Sequence, residues 1–307
     1  MNIPDEASPD EARDPDEKRT SLTSQFVTCN SHKVSAGLRK LTSPIEMVRI
    51  CIVFLSLLIS LSAVAQYSEV IRADRPGQAL TANTVGQGIF QLQTGFNYFG
   101  SNVTTKATGF LSNTVIRYGV TEQFEINAQF EYKGEQIDSA VKNPKGVSAA
   151  DIGIRYNIYA GKGRQPNIGF QFVTRLPVLG TDYKIQDPAP RMFIIANQPL
   201  SDIINLNAIW GITWNGNNSV PRYNYVINLS LSPSARLGVF AEVYGGREAG
   251  VLATFFDGGI SWLLTNDLQL GLHGGLGHGG TLGSDKGANS YFVSAGVSWR
   301  TKRKSRQ

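Results

Sequence analysis

From Gly88 onward, apolar or aromatic side chains alternate with polar ones or glycine in segments of about ten residues. Successive side chains of a strand point to opposite faces, so this period of two predicts strands with one greasy and one wet surface. In 123–132 the set Phe124, Ile126, Ala128, Phe130 and Tyr132 alternates with Glu125, Asn127, Gln129 and Glu131. Further on, Ile152, Ile154, Tyr156 and Ile158 oppose Asp151, Arg155 and Asn157, and Ile204, Leu206, Ala208, Trp210, Ile212 and Trp214 oppose Asn205, Asn207 and Thr213. The pattern predicts twelve strands, at 88–99, 110–118, 123–132, 149–159, 166–177, 190–198, 203–214, 222–231, 235–244, 253–263, 267–278 and 289–300.

The connections carry a second regularity. Short turns are expected at 119–122, 160–165, 199–202, 232–234 and 264–266. Mostly longer loops bearing Gly, Asn and Lys are expected at 100–109, 133–148, 178–189, 215–221, 245–252 and 279–288. Short turns alternating with long loops over an even strand count are what an up-and-down outer-membrane barrel requires, with the short turns in the periplasm. Lipid offers backbone groups no hydrogen bonds, so a spanning sheet must close on itself and leave no edge. The apolar set carries aromatic residues near its strand ends: Tyr98, Phe110, Tyr118, Phe124, Tyr132, Tyr156, Trp214, Tyr223, Trp262, Tyr291 and Trp299. Such a placement fits two interfacial girdles. The expected fold is therefore an all-β, closed, antiparallel transmembrane barrel of about twelve strands over 88–300.

Upstream, Arg49, the apolar run Ile50–Leu61 and the small residues Ala63-Val64-Ala65 have the layout of a secretory signal. The apolar run is shorter than the roughly 20 residues a spanning helix needs. This predicts export, translation starting at Met47, a signal over 47–65 cleaved after Ala65, and a disordered or mis-assigned extension over 1–46. Cys29 and Cys51 both precede the cut, so the mature chain has no thiol for disulfides, metal ligation or nucleophilic catalysis. The net charge of +5 is scattered, apart from a basic tail over 301–307, and does not point to nucleic acid.

Several stretches, taken in order, resemble the phenol-degradation MetA-pathway family of outer-membrane β-barrel transporters. They are Asp74-Arg75-Pro76-Gly77, Arg117-Tyr118-Gly119-Val120-Thr121-Glu122, Asp151-Ile152-Gly153-Ile154-Arg155-Tyr156, Glu242-Val243-Tyr244-Gly245, and Asp257-Gly258-Gly259-Ile260 leading to Leu264-Thr265-Asn266-Asp267-Leu268-Gln269-Leu270. The resemblance covers about Ile71 to Arg300 and departs from the family at Gly271-Leu272-His273. It implies passage of small solutes across the outer membrane, with a link to aromatic degradation.

If the apolar set faces lipid, the other set lines a lumen, and its charges need partners or water. The candidate lining is Arg117, Glu125, Glu131, Asp151, Arg155, Arg175, Arg236, Glu242 and Asp257, joined by Arg300. Arg117 is expected to face Glu125, and Arg236 or Glu242 to approach Asp257. Such charges either rigidify the barrel or form a constriction that selects solutes. Twelve strands predict a lumen narrower than an open porin's. The segment 66–87, with Arg72, Asp74, Arg75 and Pro76, is either a plug folded inward or a periplasmic tail.

Catalysis is not expected. His273 and His278 are the imidazoles of the mature chain and fall on opposite faces, and no motif links them to Ser261, Ser290, Ser294 or Ser298. No cofactor is expected, and a metal site from His273, His278 and Asp285 is disfavoured by the same spacing. The expected partners are outer-membrane lipid and a small-molecule solute, in a channel that performs no chemistry. The alternative is a structural or adhesive surface protein whose long loops bind partners.

Overall fold

The computed structural model describes residues 68–101, 106–138, 140–280 and 288–302. The extension 1–46, the signal with Ala63 and Ala65, and most of the basic tail lie outside the described residues.

Twelve antiparallel strands close into one barrel. They are β1 (Phe90–Ser101), β2 (Ala107–Gly119), β3 (Phe124–Ile137), β4 (Lys145–Tyr159), β5 (Asn167–Arg175), β6 (Ala189–Pro199), β7 (Ile204–Thr213), β8 (Arg222–Leu231), β9 (Leu237–Glu248), β10 (Val251–Thr265), β11 (Leu268–Gly280) and β12 (Ala288–Arg300). Each strand pairs with its neighbours in sequence, and β1 closes the sheet on β12 from Gln91↔Arg300 to Ser101↔Ser290. Closure leaves no edge, as a sheet in hydrocarbon requires.

The alternation sorts the two faces. On β3, Ile126 and Phe130 are exposed outward while Glu125 is fully buried inward. Outward aromatics gather near both strand ends. Phe90 lies 6.4 Å from Trp299 at one end, and Phe96, Phe110 and Tyr132 form successive stacks at 5.9 and 6.2 Å toward the other.

Two of the loops expected to be long are largely strand. β3 and β4 extend to pair Lys133 with Gly146 and Gly134 with Lys145, leaving 138–144 as the connection. Polar residues such as Lys133 and Glu135 resemble loop in sequence, yet they continue the inward-facing row toward the long-loop end. Their side chains pair at 2.8 Å, and the Lys133 ammonium sits 5.2 Å from the Phe99 ring centroid. β9 and β10 meet across Ala249-Gly250 alone. Both residues have positive φ, 48° and 85°, which is the backbone a two-residue type I′ hairpin demands.

Candidate functional site

Residues 69–88 enter the barrel from the short-turn rim, reach toward its middle and return to that rim beside the β2–β3 turn, and the inward side chains of eight strands hold them. At the rim, Ile71 N donates to Asn266 O and Arg300 Nη2 to Glu69 O. Deeper, Arg155 grips the Asp74 carboxylate through two bonds of 3.2 and 2.8 Å, and Arg117 adds an ion pair at 3.4 Å. Arg117 also holds Glu125 at 2.7 Å, and Glu125 in turn accepts from Val85 N. The chain is therefore clamped by Arg117–Glu125 on one hairpin and by Arg155 on the next strand. Backbone groups are satisfied along the way: Asn197 Oδ1 accepts from Ala82 N, Asn157 Nδ2 donates to Ala82 O, and Gln269 Nε2 donates to Arg75 O. A buried chain with this many partnered amides has a defined path, since orphaned backbone groups in such a place are costly.

The wall also leaves room for it. A Cβ added to Gly169 would lie 2.8 Å from the Ala82 backbone, and one on Gly271 would lie 3.0 Å from the Pro76 ring. Gly271 thus accommodates the Pro76 ring. Opposite the arginines, Ala82 joins Ile195 of β6 and Ile209 of β7 in a small apolar core, with Leu80, Phe193 and Val226 against it.

Glu242 anchors the middle of the segment, accepting the amides of Gln78 and Ala79 and the Asn228 side chain. Directly across the β9–β10 ladder stands Asp257, also inward and 7 % exposed. None of the described ion pairs reaches either carboxyl. Farther toward the long-loop end, Asp151 lies between Arg175, at 3.0 Å, and Arg191, which also contacts it. Glu131 accepts from Ser148 Oγ at 2.7 Å. Outside the spanning strands, the Lys142 ammonium and the Lys145 amide hold the half-buried Asp182 carboxyl below its usual range.

Arg117, Glu125, Asp151, Arg155, Glu242, Asp257 and Arg300 are all buried, and Glu131 and Arg175 are half-buried beside them. Arg236 is elsewhere. It is exposed in the turn between β8 and β9, where the strand begins two residues later than the pattern suggests, so Glu242 alone faces Asp257. Within the segment, Asp74, Arg75 and Pro76 contact the wall, whereas Arg72 offers its carbonyl to Gln91 and keeps its side chain exposed. Sequence reasoning missed Arg191, Asn197 and the inward apolar residues Ile195 and Ile209. Arg191 shares the inward parity of Ile195 and Asn197 on β6, which was the available signal. His273 is inward and buried. His278's side chain and Asp285 lie outside the described residues, and among those described no group of three or more His, Cys, Asp or Glu is placed to hold a metal ion.

Above the segment the lumen keeps a cavity of about 340 Å³. The family described as "Putative MetA-pathway of phenol degradation" matches residues 73–301, which covers most of the inward segment and every strand. The chain belongs to this family. This member of the MetA-pathway family is a closed barrel with residues 69–88 inside it. No curated protein matches. Among solved structures, an outer-membrane channel from Pseudomonas putida F1 aligns with a TM-score of 0.58 at 11% identity, over 72% of this chain and 98% of that one. The KdgM porin in complex with disordered oligogalacturonate gives 0.46 at 10% identity over 68% and 99%. The monoaromatic hydrocarbon channel CymD gives 0.43 at 8% identity over 72% and 90%. The first of these likenesses establishes the outer-membrane barrel fold for this chain.

Proposed function

We propose that this MetA-pathway family member is an outer-membrane channel that passes small solutes without chemistry, and that residues 69–88 constrict the half of its lumen nearest the periplasm. The observation that carries the reading is the ion-paired hold on Asp74 by Arg117 and Arg155 inside a closed barrel. A barrel that serves only as an anchor has no need of a lumen whose width is set by a separate, polar, hydrogen-bonded segment. The family description supports solutes that include aromatic compounds. At the opposite end the β9–β10 connection is two residues, the β3–β4 connection seven and the β5–β6 connection thirteen, short for a dedicated adhesive module.

The test is single-channel recording in planar bilayers with purified wild type and Asp74→Ala. The variant frees Arg155 from the segment and leaves Arg117 only the Asn83 and Arg72 carbonyls there, so a rise in mean conductance of roughly twofold or more is expected. Absence of ion current in both proteins would overturn the channel reading. Equal currents would remove residues 69–88 as the constriction.

A further inference from the structure

The lumenal cavity is lined by an unusual concentration of carboxamides: Gln93, Asn97, Asn113, Asn127, Gln129 and Gln171. They come from β1, β2, β3 and β5, so alternation along several strands has placed them on one side of the same space. Two keep an amide nitrogen that no protein atom satisfies, Gln93 Nε2 and Asn127 Nδ2, and Gln93 is 1 % exposed. Buried donors of this kind cost free energy until an acceptor reaches them. The apolar part of the lining is small and compact: Leu80 from the segment, Leu111 and Val115 from β2, and Val173 from β5.

Two of the three lining arginines are committed to carboxylates. Arg155 is bound to Asp74, Arg117 to Glu125 and Asp74, and Arg75 lies among Gln93, Glu131 and His273 in the lining. In formal charge the three arginines are balanced by Asp74 and Glu131 of the lining and by Glu125, which pairs with Arg117, so the charge around the cavity sums to zero. An ionic solute entering here would shed water and meet groups whose charge is already compensated, which is unfavourable. An uncharged molecule bearing oxygen acceptors would satisfy the free amide donors and lay its hydrocarbon part on the four aliphatic side chains. The volume of about 340 Å³ stands at the lower end of the range for small-molecule sites.

We propose that this cavity is a binding site for an uncharged small organic molecule carrying a hydroxyl or carbonyl group, and that it selects against organic ions of the same size. The proposal rests on the channel reading for its biological meaning, but the binding itself does not. Three probes of nearly equal shape separate the cases at neutral pH: benzamide is neutral, benzoate anionic and benzylammonium cationic. Calorimetry on the detergent-solubilised full chain is expected to show benzamide binding at least tenfold tighter than either ion. In planar bilayers benzamide should reduce the current at correspondingly lower concentration. The double substitution Asn127→Leu with Gln129→Leu should weaken benzamide binding by tenfold or more. Equal binding of the three probes, or tighter binding of an ion, overturns the proposal whether or not the double variant folds. If calorimetry shows the selectivity while no current is seen from any form, the site stands and the channel reading falls.

Discussion

Glu242 and Asp257 behave differently although they stand opposite each other on neighbouring strands. Glu242 accepts three N–H groups, two of them from the backbone of the inward segment, whereas Asp257 supplies no ion pair to anything described. Like charges on directly opposed residues destabilise a sheet by some tenths of a kcal/mol to about 1 kcal/mol. Asp257→Asn is therefore expected to leave urea stability unchanged or raise it by up to about 1 kcal/mol. Glu242→Gln removes a charged acceptor from three donors and is expected to cost about 2 kcal/mol. It should also speed amide exchange at Gln78 and Ala79, read by hydrogen–deuterium exchange. A larger loss for Asp257→Asn than for Glu242→Gln would refute this division of labour. The pairing of Glu242 with Asp257 was half legible in the sequence, because strand parity marks both as inward. The exclusion of Arg236 was not, since it depends on where β9 begins, and turn residues and strand ends carry the same polar composition.

At the scale of elements, the strands were readable because their period of two is repeated over many residues, and a one-residue slip would turn every greasy side chain inward. Loop lengths were less readable. Lys133, Glu135 and Arg247 are polar for reasons of inward or interfacial placement, and only pairing partners reveal that they extend hairpins. The course of residues 69–88 was open between plug and tail, because an irregular chain has no period and its partners come from eight separate strands. Its seat depends on small wall residues, and this gives a direct test. Gly169→Ala would place a methyl against the Ala82 backbone, which cannot swing aside as a side chain does. The expected outcome is displacement of the segment near Ala82 with the barrel intact. It would appear as a larger single-channel conductance and faster proteolysis within 78–86, while resistance of the folded barrel to dodecyl sulfate at room temperature is retained. Unchanged cleavage and conductance would show that the segment does not depend on this close approach.

For the whole molecule, what distinguishes a spanning barrel from a soluble one is the medium that meets its outer face. Ile126, Phe130, Ile152, Ile194, Trp210, Ile227, Phe256, Ile260 and Leu272 are all between 44% and 61% exposed, so they form a continuous apolar belt with no protein cover. Inside, by contrast, the largest fully buried side chains are headed by Arg117 and Arg155. This is an inverted distribution that water on the outside would not tolerate. If the belt lies in hydrocarbon, the cost of a charge must depend on depth. Ile152→Lys, in the middle of the belt, is expected to cost about 2–4 kcal/mol, and Tyr118→Lys, in the girdle next to a short turn, at most about 1 kcal/mol. Urea titrations of both variants refolded into lipid vesicles measure the difference. In water a lysine on either exposed site would be nearly neutral. Equal small costs at the two positions would therefore place the belt outside the bilayer and remove the membrane from the account of this fold.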